Sequence, residues 1–90
     1  MSRVRLTRHL LRFFPGLKEH EIVEGDTVAA MVRSLDARFP GLGGYLVDER
    51  GALRKHVNIF IGTERIRDRQ SLCDPVREED HVYIFQALSG

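Results

Sequence analysis

Two periodicities divide the chain. In VRLTRHLL the apolar residues Val4 and Leu6 alternate with Arg3, Arg5 and Thr7, and a period of two predicts a half-buried strand. Phe13-Phe14-Pro15-Gly16 interrupts it, because proline and glycine together favour a turn. Lys18 to Val23 is predicted as a second strand, closing an antiparallel hairpin over a connection longer than the tightest turns. The period then becomes helical. Val28, Met31, Val32, Leu35 and Phe39 recur at spacings of three and four and form one apolar stripe. Gly25-Asp26-Thr27 supplies the start, with Asp26 or Thr27 able to accept a bond from an unpaired N–H of the first turn. Pro40-Gly41 ends the helix, since the residue before a proline avoids helical dihedrals. Each fully buried stripe residue is worth roughly 1.5–3 kcal/mol, so the helix is expected to lie on the sheet, with Met31 as core filler.

Residues 41–55 are glycine-rich and turn-like, and Asp48-Glu49-Arg50-Gly51 suits a type I turn. The glycines of GLGG follow a helix instead of leading into one, and no Lys-Ser/Thr succeeds them, which argues against a phosphate loop. VNIFIG, from Val57 to Gly62, is predicted as a strand, with a short edge strand at Arg65 to Arg67 and a turn through Ser71 to Pro75. An acidic corner, Glu78-Glu79-Asp80, leads into the last strand, His81 to Ala87. Hairpin, helix, irregular stretch and further strands describe a single-helix α+β domain.

Composition narrows the chemistry more than the fold. Ninety residues make one domain, able to hold one core but no deep cleft between lobes. The content is 42% hydrophobic and 30% charged, as in ordinary globular domains. No apolar run approaches a membrane span and the N-terminus lacks a hydrophobic signal region, so a cytoplasmic protein is expected. Cys73 is alone, which excludes an internal disulfide and agrees with a reducing compartment.

The net charge of +1 hides an asymmetry, since Arg3, Arg5, Arg8, Arg12 and Lys18 all precede the first acid, Glu19. A basic arm of this kind could touch nucleic acid or an acidic protein, or simply form a solvated strand face. No aromatic stacking motif accompanies the arginines, which disfavours nucleic acid. His9, His20, His56 and His81 are far apart and none has a partner at metal-ligand spacing, so no metal site is expected. Cys73 has no neighbouring histidine and lies in an apolar-leaning turn, which disfavours a catalytic thiol. Glu78, Glu79 and Asp80 read as a solvated turn. The chain does not look like a self-sufficient enzyme.

Three stretches carry a resemblance. GDTVAAMVRSLDARFPGL, VNIFIGTERI and REEDHVYIFQALSG together resemble the helix, the central strand with its turn, and the acidic turn, last strand and tail of the MoaD/ThiS-like sulfur carriers. The resemblance implies an α+β, β-grasp (ubiquitin-like) fold, with a mixed four- to five-stranded sheet packed on one main helix. It divides the chain into a domain, 1–86, and a C-terminal tail, 87–90. It implies a protein cosubstrate instead of a catalyst, with no cofactor bound. Its partners would be an E1-like adenylyltransferase using ATP and Mg²⁺ and a sulfur-accepting enzyme, such as the large subunit of molybdopterin synthase. Gly90 would present the carboxylate that becomes an acyl-adenylate and then a thiocarboxylate, with Ala87, Leu88 and Ser89 as the tail behind it. Glycine suits an end that must enter a narrow site extended, having no side chain to clash and no restricted φ. Family carriers end in Gly-Gly. Aligned from the acidic turn, Gly90 falls on the penultimate glycine and Ser89 on the small residue before the pair, so a site built for the full tail is expected to use this end poorly.

Parity then assigns the last strand. Val82 and Ile84 match the family's inward positions, which turns Tyr83 and Phe85 to the other face of the sheet. In the central strand Ile59 and Ile61 would be inward and Phe60 outward. Phe60, Tyr83 and Phe85 are therefore expected to form an exposed apolar patch leading to Leu88, a feature that often marks a partner interface. Alternatively Phe13, Phe14 or residues 41–55 cover these rings. Two other readings are a non-conjugating β-grasp binding module using the same aromatic face, and an RNA-contacting domain using the basic first strand. Molybdenum-cofactor, thiamine, cysteine and specialised-metabolite routes all remain possible recipients of the sulfur.

Overall fold

Val28, Met31, Val32 and Leu35 form the buried side of helix α2 (Val28–Arg38) in the computed structural model, which describes residues 2–86. The stripe faces a five-stranded sheet ordered β2-β1-β5-β3-β4. Its strands are β1 (Ser2–Leu6), β2 (His20–Val23), β3 (Val57–Ile61), β4 (Glu64–Arg65) and β5 (His81–Gln86). Neighbours run antiparallel except β1 and β5, which pair in parallel. The architecture is a β-grasp with a mixed sheet, as expected. Val4, Leu6, Val57, Ile59, Val82 and Ile84 line the inner face and join the helix stripe in one core.

The start of α2 is closed from two directions. Thr27 is the cap, its Oγ1 accepting from Ala30 N at 3.1 Å. The N–H groups of Val28 and Ala29 donate to the carbonyls of Asp74 and Leu72, on the loop before β5. The helix's first donors are thus satisfied, which a buried terminus requires. To aim its carbonyl there, Leu72 adopts φ 56°, a left-handed conformation uncommon outside glycine. Asp68 and Asp74 hold that loop. Asp68 accepts from the N–H groups of Gln70, Ser71 and Cys73, and Asp74 from those of Arg67 and Asp68. Gly25 fits beneath the helix because a Cβ there would lie 2.6 Å from Met31 N, and its φ of 148° is itself a glycine conformation.

Four local expectations are corrected. VRLTRHLL does not continue as a strand, since Arg8–Leu11 forms a short helix, α1. In strand phase Arg8 would have followed Val4 and Leu6 onto the core side; the helical turn instead exposes Arg8 and buries Leu10. The stretch 41–55 contains a helix, α3 (Leu42–Leu46). Asp36 Oδ1 nucleates it by accepting from Gly41 N and Gly43 N, and Leu42 and Leu46, four residues apart, enter the core. The remaining differences are strand limits. β2 begins at His20 because Glu21 Oε2 takes the Lys18 N–H at 2.9 Å. β4 is Glu64–Arg65 instead of Arg65 to Arg67, because the Arg67 N–H goes to Asp74.

Replacing Thr27 by Ala leaves one first-turn N–H without its acceptor, and unfolding in urea should show a loss of about 1 kcal/mol. A second measurement tests the loop. The N–H groups of Ser71, then Cys73, hold the Asp68 carboxyl below its ordinary value of 3.8. A lowered folded pKa contributes stability that is present above the ordinary value and lost as pH falls through the folded one. Asp68→Asn should therefore flatten the acid limb of the stability curve below about pH 4, in the range where carboxylates ordinarily titrate, while leaving the neutral region parallel to wild type.

Candidate functional site

Strand register builds a row of side chains across the outer face of the sheet. His20 pairs with Arg5, Arg5 with Tyr83, Tyr83 with Phe60, and Phe60 with Arg65, one residue from each of the five strands. Phe85 lies diagonally from Phe60, and the two rings meet edge to face at 5.9 Å. Tyr83 and Phe85 are parallel at 6.2 Å. Phe85 is 45% exposed, while Phe60 and Tyr83 are half-buried. The expected parity holds, with Ile59 buried and Ile61 packed against the core. The rings are not covered by Phe13 or Phe14, which pack with Tyr45 from the 41–55 segment instead.

The aromatic strip is flanked by positive charge. The Arg65 guanidinium sits over the Phe60 ring at 5.9 Å, a cation–π contact. On the other side stand Arg5 and, one row along, Arg3 between Ile22 and His81. Arg5 meets Glu19 at 3.4 Å, an exposed pair of the kind that contributes little and leaves the charge available. The surface joins apolar area to cations and suits an apolar partner face bordered by carboxylates.

The same strand ends in a clamp. Thr7, just beyond β1, donates its hydroxyl to Ile84 O at 3.1 Å and accepts the Gln86 N–H at 3.0 Å. Its own N–H also reaches Ile84 O, at 3.2 Å. β5 is therefore bonded to β1 as far as Gln86, the last described residue. Ala87, Leu88, Ser89 and Gly90 lie outside the described residues.

Other sequence candidates resolve into structural parts. Asp80 accepts from Arg77 N, and the Ser2 hydroxyl donates to Arg77 O, so the acidic corner shapes the entry to β5. Cys73 is exposed in the Asp68 loop, not in apolar surroundings, its N–H donating to that carboxylate. Among the described residues, no three His, Cys, Asp or Glu side chains gather as a metal site. No described helix is long and apolar enough to cross a membrane.

Comparison with known proteins places this geometry. The profile of the ThiS family matches residues 5–90. The chain belongs to the ThiS family. Sulfur carrier protein CysO of Mycobacterium tuberculosis is 30% identical over 83 residues, 90% of this chain and 89% of its own length. Small archaeal modifier protein 3 of Haloferax volcanii is 26% identical over 88 residues, covering 89% of this chain and 95% of that protein. The crystal structure of Mycobacterium tuberculosis CysO superimposes with a TM-score of 0.85 at 27% identity, over 98% of this chain and 100% of that one. A CysO chain crystallised with BexX from Amycolatopsis orientalis gives the same TM-score, 0.85, at 24% identity, over 100% and 99% of the two chains. The relatives of this ThiS-family member are named as a sulfur carrier and a small modifier protein, and it shares the β-grasp fold of the former.

Parity reasoning found the three aromatic residues of this ThiS-family chain. It missed Thr7, taken as a polar strand position, and Arg65 as a neighbour of Phe60. The only sequence signal for Thr7 was the loss of alternation immediately after it. Thr7→Val keeps the shape and removes both hydroxyl bonds. At ~0.5–1.5 kcal/mol each, global stability should fall by about 1–3 kcal/mol, and hydrogen exchange should accelerate more at the Gln86 amide than at Val82. Uniform acceleration along β5 would count against a local clamp.

Proposed function

We propose that this ThiS-family chain is a sulfur carrier, a protein cosubstrate that accepts and donates sulfur at its C-terminal carboxylate on Gly90. An E1-like enzyme would bind ATP and Mg²⁺. The carboxylate oxygen attacks the α-phosphorus of ATP, pyrophosphate leaves, and the carbonyl carbon becomes the electrophile of an acyl-adenylate. A hydrosulfide-level sulfur from a donor then attacks that carbon, AMP departs, a proton is released, and a thiocarboxylate remains. The domain supplies none of these bonds; it delivers the end. A second enzyme would take the sulfur, and the likeness to CysO turns attention to CysO-type routes, since none of these relatives is named for molybdopterin.

The observation that carries the reading is the coincidence on β5 of a clamped end and an aromatic outer face. Partner enzymes would dock on Phe60, Tyr83 and Phe85, with Leu88 continuing that surface along the tail, while Ala87, Ser89 and Gly90 enter the active site. The Amycolatopsis orientalis CysO found in complex with BexX supports docking of a carrier on an enzyme. Likeness to an archaeal modifier supports a second fate for the same acyl-adenylate, attack by an amine to give an amide.

Incubated with its cognate activating enzyme, ATP, Mg²⁺ and a sulfur donor, the full-length protein should show by intact-mass spectrometry the replacement of one terminal oxygen by sulfur. An unchanged mass would reject the carrier reading. Phe60→Ala and Phe85→Ala should each weaken binding to that enzyme about tenfold or more, as expected for buried aromatic anchors worth ~2 kcal/mol. Their unfolding midpoints should move little, and a collapsed fold in either variant would place the ring in the core and not at an interface.

A further inference from the structure

Among the described residues, four large apolar side chains are notably exposed: Phe13 at 48%, Ile22 at 58%, Tyr45 at 37% and Phe85 at 45%. Phe85 marks the outer side of the end of β5. Tyr45 lies on the opposite, helix side, where it shares an open depression with Gly41, Gly44, Arg54 and Gln86, the last residue of the strand. Phe13 stacks on Tyr45 at 5.4 Å with a 23° tilt, and His9 meets Phe13 edge to face. The end of β5 at Gln86 therefore has exposed aromatic area on both sides.

The polar groups on the helix side are unspent. Arg54 uses Nε to hold Gly44 O at 2.8 Å, which fixes the guanidinium beside the depression. Among the described residues, no carboxylate lies within ion-pair distance of Arg54, or of Arg8 and Arg12 on the segment that carries Phe13. Gln86 Oε1 is buried and has no hydrogen-bond partner among the described residues. The depression offers an aromatic wall and a fixed cation. A protein segment with an apolar side chain and a carboxylate would complement both.

We infer that the helix-side surface of Phe13, Tyr45, Arg54 and Gln86 is a second docking surface, contacted by an acidic rim segment of the enzyme that takes up the tail. The inference rests on the carrier reading, because an active site that swallows a tail must close around both sides of its root. The sheet face alone would cover one side.

The test titrates wild type, Arg54→Glu, Phe13→Ser and Arg33→Glu against the cognate activating enzyme by calorimetry, with thiocarboxylate formation followed by mass spectrometry. Arg33, exposed on α2, is the control for an equal change of charge. Arg54→Glu and Phe13→Ser should each weaken binding at least tenfold with the circular dichroism spectrum unchanged, and the Arg54→Glu defect should shrink at high salt. Arg33→Glu should bind like wild type. Wild-type affinity in both surface variants, alongside normal thiocarboxylate formation, overturns the second surface and leaves the carrier reading intact. Wild type that binds without being converted rejects sulfur transfer with this enzyme, while the variants still score the surface. Wild type that does not bind overturns both, while a single-stranded RNA oligonucleotide that binds tightly through Arg54 and Phe13 overturns the second surface alone, since it would give that surface to nucleic acid.

Discussion

The parallel ladder between β1 and β5 is the constraint on which the molecule depends. It joins Val4 to Val82 and Leu6 to Ile84, residues from opposite ends of the chain, and it puts the last strand at the centre of the sheet. An edge position for β5 would have left one row of its backbone groups open and its end free to fray. At the centre, β1 and β3 bond it on both sides, and Thr7 extends the first ladder to Gln86. Such pairing is non-local, so much of the chain must be ordered before the ladder closes, which favours slower folding than local contacts would.

From that placement the division of labour along β5 follows by alternation. Val82 and Ile84 are buried against the helix side, while Tyr83 and Phe85 face outward. A shift by one residue would exchange the two sets, burying tyrosine and exposing isoleucine. Thr7 and Gly62 help to pin the register, the latter by donating its N–H to His81 O at 2.8 Å where the strand begins. Helix α2 is fixed against the same core through loop carbonyls at its start. Near its end Arg38 bonds Glu21 Oε1 at 2.9 Å and Ile22 O at 2.8 Å, which also occupies an acceptor on the open edge of β2.

What could be read in the sequence was whatever repeats. The stripe from Val28 to Leu35, a helix cap at Asp26 or Thr27 and the alternation in β3 and β5 are local signals strong enough to stand alone, and with the family resemblance they indicated a β-grasp. What stayed hidden depends on partners distant in sequence or on single side chains. The helix Leu42–Leu46 exists because Asp36 accepts two N–H groups, and its glycines argue the other way on propensity. The turn at Arg8–Leu11 reflects Leu10 seeking the core, and the role of Thr7 appears only once β5 lies beside it. At the candidate site the rings were legible and their surroundings were not, since Arg65 and Arg54 reach Phe60 and Gly44 through pairings no period records.

The central position of β5 has a mechanical meaning. A pull along the axis of this strand meets neighbours that bond it from both sides. Such a pull loads both ladders in shear, so many hydrogen bonds share the force at once; a strand peeled from an edge would lose them one by one. The domain can thus act as a stop, its body resisting such a load without unfolding.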